Sequence, residues 1–343
     1  MKLLFITQKI DRNDWLLGFT HSWLKTLATR VEGLVVICLE RGETDLPKNV
    51  KIISLGKEQG AGRLKRLFKF WQAIATTIGE VDGVFAHMSP VFALAAAPFT
   101  KLFQRPLVLW YTHRSVSHTL RWAVRVSDAV VTASPESFQL ATPKVQVVGH
   151  GIDPVQFFPT PLPTTTPPLI LAVGRLSPIK RYELLIEAIK HLQAQGLAVR
   201  CVIAGDDPSP SSVYGNTLKE KGSGVVEFIG AVPYHQIAAW YHRAAVTVNL
   251  CPTGGLDKAV LEGLLCGRPV LLTNQSFAPL LGPEGQPWLV AESSEAVAEG
   301  LANLLADPDR QAKIDRIQAR TKTEAGVERL MERLLGLFHS LIT

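Results

Sequence analysis

The sequence predicts an α/β protein made of two doubly wound domains joined by a proline-rich linker. Its 343 residues are more than a single hydrophobic core usually organises. Short apolar runs alternate with helical patterns along the chain, which is typical of parallel sheets covered by helices on both faces. Between two such alternations, residues 157–168 contain five prolines and four threonines, a composition that marks a linker.

Each predicted strand is a short and nearly continuous apolar run. Before the linker, strands are predicted at 2–7, 34–40, 50–56, 83–87, 106–112, 128–134 and 145–151. After it, they are predicted at 169–175, 198–206, 225–230, 246–251, 268–274 and 287–291, and three helices follow the last one. Ligands of such sheets bind outside the carboxyl ends of the strands, so a cleft between the two domains is the expected site.

The composition is that of a globular protein, with 47% hydrophobic and 19% charged residues. No apolar run approaches the ~20 residues of a membrane span. The apolar run before Gln8 is too short for a signal peptide, so we expect a cytoplasmic protein. The four cysteines are far apart and without metal-ligand spacing, which favours buried thiols and no metal site. They are Cys38, Cys201, Cys251 and Cys266.

Charge is unevenly distributed along the chain. Residues 1–150 contain 19 Lys and Arg against 11 Asp and Glu, a net charge of +8, and the remainder has 17 against 19, or −2. A basic first half indicates an anionic partner, which could be a phosphate, a membrane surface or a nucleic acid.

A first candidate site follows the first strand after the linker. That strand ends at Gly174, Arg175 follows, Pro178 suits a first helical turn, and Lys180 lies near the start of the next helix. Two cations beside a helix N-terminus can bind a diphosphate. The alternative is a solvated loop that is basic without function.

A second candidate site lies at residues 254–267. Gly254 and Gly255 allow close backbone approach, Asp257 can cap a helix from Ala259 to Cys266, and Gly267 can end it. The start of this helix favours an anion, and Lys258 strengthens that preference. Glu262 lies one turn in, where a carboxylate is costly unless paired, for example with a ribose diol. The alternative is an exposed Glu on the outer face.

Two further candidates lie in the first half. His113 falls at the carboxyl end of a predicted buried strand, where it is as well suited to structural hydrogen bonding as to catalysis. His118 is expected on the following helix. Gly18 ends the first loop and precedes a helix, but without further glycines the phosphate-binding signal is weak.

The predicted helix at 62–78 has an apolar stripe and a basic face. Its stripe is formed by Leu64, Leu67, Phe68, Trp71, Ile74 and Ile78, with Lys65, Arg66 and Lys69 opposite. The helix either covers the sheet with a solvated basic face or rests on an anionic lipid surface.

Taken together, these residues resemble the retaining glycosyltransferases of family 4, whose GT-B architecture consists of two Rossmann-like domains facing across a cleft. The resemblance covers nearly the whole chain and is most specific at residues 173–189, 203–207, 227–244 and 256–271. The segment 150–159 resembles the end of the family's first domain, with His150 where Asn is usual.

The resemblance implies roles for single residues. Arg175 and Lys180 match the pair that grips the donor diphosphate, and Glu262 matches the second acid of a Glu, seven residues, Glu motif that binds the ribose. His113 matches a first-domain His near the donor sugar, and Gly18 a glycine that approaches donor phosphate and acceptor. The expected catalytic residues are His113, Arg175 and Lys180, and the expected donor-binding residues are Gly18, Gly174, Arg175, Lys180, Gly255, Asp257, Lys258, Ala259 and Glu262.

The loop before Glu262 departs from the family pattern. Gly254 lies eight residues before Glu262, where the family usually has a first Glu that touches the donor sugar. Leu256 and Asp257 also replace the usual aromatic-Gly pair. Either Asp257 and Lys258 contact the sugar and phosphate instead, or backbone N–H groups alone hold the sugar.

The resemblance implies transfer of a sugar from a UDP- or GDP-linked donor to a hydroxyl acceptor, with retention of configuration and without metal or cofactor. One alternative is a nucleotide-sugar epimerase, although we find no acid/base carboxylates well placed for it. Another is a degenerate protein that binds a nucleotide sugar without turnover, which the missing first acid motivates. A nucleic-acid partner is disfavoured because the basic residues form no aromatic-interleaved groove pattern.

The basic first half and the 62–78 helix suggest a lipid-linked or membrane-surface acceptor, and a protein peripheral at the inner face of the membrane. The pattern at 324–342 predicts a terminal amphipathic helix, which in the GT-B fold crosses back to the first domain. Its apolar residues are then core: Val327, Leu330, Met331, Leu334, Leu335 and Phe338. The expected division is 1–156, linker 157–168, second domain 169–323 and terminal helix 324–343.

Overall fold

The computed structural model describes residues 1–207, 213–252 and 254–343, and it divides the chain into two compact units. The first unit consists of Met1–Asp153 and Gly326–Thr343, and the second of Pro154–Ala325. Each contains one parallel β-sheet with helices between its strands.

The sheet of the first unit, all of whose residues are described, has seven parallel strands in the order β3-β2-β1-β4-β5-β6-β7. Every residue of the strands β4, β5 and β6 is buried, which explains their uninterrupted apolar sequences. The chain order reverses beside β1, so β1 and β4 flank the switch point at which such sheets bind ligands. The strands are β1 Lys2–Ile10, β2 Gly33–Arg41, β3 Val50–Ser54, β4 Gly83–His87, β5 Leu107–Trp110, β6 Ala129–Thr132 and β7 Val145–Val147.

Four helices connect these strands. They are α1 Phe19–Ala28, α2 Arg63–Thr77, α3 Pro90–Leu102 and α4 His118–Val126. Ser117 caps α4, since its side chain accepts a hydrogen bond from the N–H of Leu120. His118 therefore begins α4, on the helix where it was expected.

The helix α2 presents a different face to the sheet from the one predicted. Its buried residues are Phe70, Ala73, Ile74 and Thr77, whereas Leu64 is 84% exposed and Phe68 69% exposed. The residues 70, 73, 74 and 77 also follow a helical period, so the sequence offers two competing stripes. The narrower one packs on the sheet, and most of the predicted apolar stripe faces outward.

The second unit repeats the architecture with a smaller sheet. Within its described residues, five parallel strands have the order β10-β9-β8-β11-β12. They are β8 Leu169–Val173, β9 Arg200–Ala204, β10 Glu227–Gly230, β11 Val246–Asn249 and β12 Val270–Leu272. The helices are α5 Tyr182–Ala194, α6 Val213–Gly222, α7 Ile237–Arg243, α8 Lys258–Leu265, α9 Ala278–Gly285, α10 Ser294–Ala306 and α11 Arg310–Ala325.

Two predicted features of the second unit differ in the structure. The stretch 287–291 forms no strand, because Pro287 and Trp288 belong to a 3₁₀ turn and only an isolated bridge joins Leu289 to Leu272. The proline-rich segment 157–168 belongs to the second unit rather than standing free. Phe157 is buried there, with its ring 5.6 Å from that of Tyr234 and 6.0 Å from that of Tyr241.

The final helix, α12 Val327–Ile342, packs within the first unit. Five of the six predicted core residues are buried, but Leu335 is only half-buried and Leu337 takes the buried place. The ring of Phe338 lies so close to Gly83 that a Cβ there would come within 2.7 Å of it. Gly83 thus lets α12 approach the start of β4.

Across the described residues, no helix combines the length and the apolar character that crossing a membrane requires. Cys38, Cys201 and Cys266 are buried and Cys251 is half-buried, each as a free thiol.

Candidate functional site

Most of the predicted donor-site residues lie at the carboxyl edge of the second sheet. Gly174 directly follows β8, and Asn249 ends the neighbouring strand β11. The chain order of this sheet reverses between those two strands, and ligands of doubly wound sheets bind at that position. The helix α8 begins at the same edge, nine residues after Asn249.

Two glycines let the strand ends approach one another. Gly174 has a φ of 149° and Gly205, after β9, a φ of 142°. A Cβ on Gly205 would overlap the carbonyl oxygen of Gly174, so only glycine fits there. That carbonyl accepts a hydrogen bond of 3.1 Å from the hydroxyl of Tyr182.

Lys180 lies near the start of α5, as predicted, but Pro178 begins a short 3₁₀ turn and not the first turn of that helix. The turn spans Pro178–Lys180, and Arg181 then adopts a left-handed conformation with a φ of 52°, so α5 begins at Tyr182. A left-handed residue interrupts helical hydrogen bonding, which separates Pro178 from the helix. The turn aims the Lys180 side chain at Asp257, with which it forms a mostly buried ion pair.

Asp257 caps α8, as predicted, and also joins the helix to the two neighbouring loops. Its Oδ1 accepts from the N–H of Ala259 at 3.2 Å, and its Oδ2 accepts from Asn249 Nδ2 at 3.0 Å and from Lys180. Burial alone would raise the pKa of Asp257, but Lys180, Asn249 and the Ala259 N–H outweigh burial and lower this pKa to about 2. The carboxylate is therefore ionised at neutral pH.

Glu262 lies inside the unit and not on an outer helix face. It is 5% exposed, and its Oε2 lies 3.0 Å from the donating hydroxyl of Tyr241. Burial raises the pKa of Glu262 to about 7, although Tyr241 and Lys258 act in the opposite direction. Burial likewise lowers the pKa of Lys258, against the attraction of Glu262 and Asp257. The start of α8 thus carries two acids and a lysine whose charges depend on one another.

The glycine pair before α8 forms an open loop. Gly254 has a φ of 111°, and no described residue other than its chain neighbours comes within 4 Å of the position that its Cβ would occupy. Its carbonyl accepts from Ser276 Oγ at 3.4 Å, and that of Gly255 from Asn274 Nδ2 at 3.5 Å. Among the described residues other than its chain neighbours, none occupies the space that a side chain at position 254 would enter.

The remaining predicted residues are not part of this contact network. Arg175 is exposed after Gly174, and the structure records no ion pair for it with another described residue. His113 and Gly18 belong to the first unit. His113 is exposed, and its Nδ1 accepts from the N–H of Ser115 at 3.1 Å. Gly18 is buried directly before α1, as expected, with its N–H bonded to the Asp14 carbonyl at 2.9 Å.

Residues 156–321 match the sequence family described as Glycosyl transferases group 1. WcaL of Escherichia coli (strain K12), named as a colanic acid biosynthesis glycosyltransferase, is 32% identical over 191 residues, which are 53% of this chain and 47% of that protein. The GDP-mannose-dependent alpha-(1-6)-phosphatidylinositol monomannoside mannosyltransferase of Mycolicibacterium smegmatis is 29% identical over 159 residues, 42% of this chain and 40% of its own. The matched part spans less than half of either relative.

Solved structures resemble the chain over almost its whole length. HepE from Anabaena, in complex with UDP-glucose, has a TM-score of 0.75 at 19% identity, covering 99% of this chain and 100% of that one. Sucrose-phosphate synthase from Thermosynechococcus elongatus has a TM-score of 0.74 at 17% identity, with coverages of 98% and 99%. These similarities confirm the predicted fold class, two Rossmann-like parallel α/β domains of the GT-B type.

Sequence reasoning did not find three residues that shape the site: Tyr182, Tyr241 and Asn249. Asn249 could have been noticed, because it is a polar residue at the end of the apolar run of β11. The two tyrosines lie in helical patterns that look like ordinary core. Their hydroxyls reach Gly174 and Glu262 only through tertiary packing.

Proposed function

We propose that this protein is a retaining hexosyltransferase that moves a sugar from a nucleotide-diphosphate donor to a hydroxyl acceptor, without a metal ion. The observation that carries the proposal is the arrangement at the carboxyl edge of the second sheet. There, Lys180 forms an ion pair with Asp257, the N-cap of α8. The buried Glu262 lies about one turn further along the same helix. A cation beside the positive end of a helix suits a diphosphate, and a buried carboxylate suits a ribose diol.

In this proposal Lys180 has two states. Without donor its ammonium pairs with Asp257. With donor bound, the ammonium also contacts the β-phosphate, while Arg175, which is exposed at the same edge, contacts the diphosphate from solvent. Asp257 already holds Lys180 near the N-terminus of α8, so the lysine side chain loses little entropy when the donor binds.

The chemical step needs only groups of the donor, the acceptor and the protein's fixed charges. The bond between the anomeric carbon and the diphosphate oxygen breaks, and its electron pair leaves with the nucleoside diphosphate. The acceptor oxygen bonds to the same face of the anomeric carbon, and its proton passes to the departing phosphate oxygen. Arg175, Lys180 and the start of α8 stabilise the charge that develops on this oxygen.

The donor is UDP- or GDP-linked in this proposal. HepE was solved with UDP-glucose, and the Mycolicibacterium smegmatis relative is named as GDP-mannose-dependent. The open space at Gly254 leaves room for the donor sugar, which in this proposal is contacted by Asp257 and Lys258 or is held by backbone N–H groups alone.

The acceptor, we propose, is lipid-linked, and the protein works at a membrane surface. The first half carries the net positive charge, and the Mycolicibacterium smegmatis relative is named for a phosphatidylinositol monomannoside. A basic surface concentrates an enzyme on an anionic leaflet.

Replacement of Lys180 by Ala tests the proposal. Release of nucleoside diphosphate from mixed nucleotide sugars, with a crude lipid extract as acceptor source, should fall by roughly a hundredfold or more because a contact to the leaving group is lost. Lys190→Ala removes an exposed lysine from the helix α5 and should leave turnover unchanged. Melting temperatures of both variants show whether the fold is retained.

Near-normal turnover of Lys180→Ala would exclude the diphosphate role. Donor binding without any nucleoside diphosphate release, even in the unaltered protein, would favour the second candidate, a nucleotide-sugar-binding protein without transferase activity. The glycine at position 254 is the feature that motivates this alternative.

A further inference from the structure

The first unit contains a cavity that the donor site does not use. It has a volume of about 340 Å³ and lies between α2 and α3, beside the carboxyl ends of β1 and β2. A volume of this size is in the range of small-molecule sites. Its position is the edge of the sheet at which doubly wound domains bind ligands.

The wall of this cavity is mostly apolar, and its polar side chains are Gln8, Ser89 and two arginines. Leu39, Leu55, Phe70 and Phe92 contribute apolar surface. Arg63 and Arg66, one turn apart on α2, line the same cavity. An apolar chamber with adjacent cations fits a ligand that is apolar along its length and anionic at one end.

The two arginines are not neutralised by the protein. Among the described residues, no acidic side chain forms an ion pair with Arg63 or Arg66, and the buried Nε of Arg66 has no hydrogen-bond partner. A buried N–H without a partner costs free energy. A phosphate oxygen is an acceptor that guanidinium groups bind especially well.

The surface of α2 beside this cavity is also unusual. Leu64 and Phe68 project into solvent, and Val91, which lines the cavity from the start of α3, is 57% exposed. Exposed apolar residues next to basic ones on one helix are typical of segments that lie in a membrane interface.

A second, polar cavity of about 230 Å³ adjoins the first, since Gln8 and Leu39 line both. Its charged groups are paired: Lys9 Nζ lies 2.9 Å from Asp14 Oδ2 and 3.0 Å from Glu40 Oε1. Carboxylates and an ammonium in such a cavity are well suited to the hydroxyl groups of a sugar. The neighbouring cavities therefore suit one orientation of an amphiphilic ligand, with its apolar chain in the first cavity and its sugar in the second.

We propose that the cavity between α2 and α3 binds the lipid end of the acceptor, with an apolar chain against Leu55 and Phe70 and a phosphate on Arg63 and Arg66. The ligand class is a membrane-derived amphiphilic phosphate. That the ligand is the acceptor of a sugar transfer rests on the proposed function. The cavity itself is formed by residues of the first unit alone.

Binding of n-decyl phosphate, measured by titration calorimetry below its micelle concentration, tests the proposal. The unaltered protein should bind this probe, while 1-decanol and inorganic phosphate, which each lack one half of it, should bind much more weakly. Arg66→Gln should weaken binding about tenfold or more, because a charge-assisted hydrogen bond is lost. Lys65→Gln removes the same charge from the adjacent position, which does not line the cavity, and should change binding less than about twofold.

A second pair of variants does not depend on Arg66. Val91→Glu places a negative charge at the cavity and should abolish probe binding. Leu102→Glu places the same charge at the other end of α3, where Leu102 is 75% exposed and away from the cavity, and should leave binding intact. Both residues are exposed, so both variants should keep the melting temperature of the unaltered protein.

Displacement of the probe by phosphatidylglycerol vesicles supports a bilayer as the source of the ligand. Absence of probe binding, equal binding of 1-decanol or inorganic phosphate, or equal effects within either pair of variants would each overturn the proposal. Donor binding measured on the same samples keeps the two hypotheses apart. Loss of probe binding with intact donor binding concerns this cavity only, whereas absence of donor binding contradicts the proposed function and leaves the cavity untouched.

Discussion

The carboxyl group of Glu262 shows how a single residue is tuned by its position. Water is excluded from it, and the compensating contacts come from the hydroxyl of Tyr241 and the ammonium of Lys258. Burial dominates, so the pKa of Glu262 is about 7 rather than its ordinary 4.5. A carboxyl group that titrates near neutrality can accept the hydroxyl hydrogen bonds of a ribose once it ionises.

This shift predicts a pH dependence of stability that Glu262→Gln should remove. Because the folded-state pKa is the higher one, the folded protein holds the proton more tightly than the unfolded chain does. The stabilisation is complete below about pH 4.5 and is lost as the pH rises through about 7. By linkage, the loss is at most about 3 kcal/mol.

Urea denaturation at pH 5, 6, 7 and 8 measures this effect. The difference in free energy of unfolding between Glu262→Gln and the unaltered protein should grow in favour of the variant from pH 5 to pH 8. Parallel curves over that range would show that Glu262 is not the titrating group. Glu187→Gln, an exposed glutamate on α5, is the matched control.

The sequence identified the residues of the candidate site better than it identified their contacts. Gly174, Lys180, Asp257 and Glu262 were marked by their positions after strands or at a helix start, and they do lie at one sheet edge. The Lys180–Asp257 pair could not be predicted, because 77 residues separate its members and the left-handed Arg181 sets its geometry. A local sequence pattern predicts the helix, strand or loop in which a residue lies. The residue that its side chain contacts depends on how other elements pack around it.

At the scale of elements, apolar runs predicted the strands well and the faces of helices less well. A buried parallel strand is apolar at every position, so its sequence has few other interpretations. The helix α2 has apolar residues on two faces, and only the tertiary structure decides that Phe70 and Ile74 pack inward while Leu64 and Phe68 remain outside. The error at 287–291 has a similar origin, since an apolar run can also be a buried 3₁₀ turn.

The proline-rich segment 157–168 is held to the second unit by a buried arginine. Arg268, just before β12, is fully buried, and its guanidinium donates to the carbonyls of Cys266, Ala244, Thr160 and Pro161 and to the Thr160 hydroxyl. Five acceptors are thus satisfied by one side chain. The composition of this segment predicted a linker, because composition contains no information about a distant residue, here Arg268, that binds the segment.

Arg268→Met should therefore destabilise the protein strongly. Several buried carbonyls would lose their hydrogen-bond donor, and a buried carbonyl left without any partner costs about 1–3 kcal/mol. We therefore expect a decrease of roughly 2–5 kcal/mol in the free energy of unfolding. Arg200→Met removes an exposed arginine whose partner is Glu227, and it should cost less than about 1 kcal/mol. Urea denaturation compares the two variants, and equal midpoints would contradict the anchoring role.

At the scale of the whole molecule, the two units carry different chemistry. The second unit contains the acidic and basic groups at the start of α8, which suit a nucleotide donor, and the first contains the apolar cavity with its arginines. The charge asymmetry of the sequence agrees with this division, since the basic excess lies in residues 1–150. Charge summed along the sequence thus indicated the half that we propose to meet an anionic surface, but the cavity became visible only when α2 and α3 were placed together.

The division also bears on how the diphosphate charge would be neutralised in the proposed transfer. Enzymes that use Mg²⁺ for this purpose hold the ion with one or two carboxylates and the phosphates themselves. Here the acid nearest the helix start, Asp257, is already bonded to Lys180, Asn249 and the Ala259 N–H. An acid with its oxygens occupied in this way is poorly prepared to bind a metal ion, whereas Lys180 and the helix end supply positive charge directly.

We therefore expect turnover to be insensitive to chelation. Nucleoside diphosphate release should remain within about twofold when the protein is dialysed against EDTA and assayed with it, and added MgCl₂ or MnCl₂ should not increase the rate beyond that range. Asp257→Asn serves as the companion variant, because it weakens the hold on Lys180 without removing the lysine, and its lower rate should not be rescued by either ion. Loss of turnover in EDTA with recovery in Mn²⁺ would show that a metal ion supplies charge that we assign to Lys180, Arg175 and the start of α8.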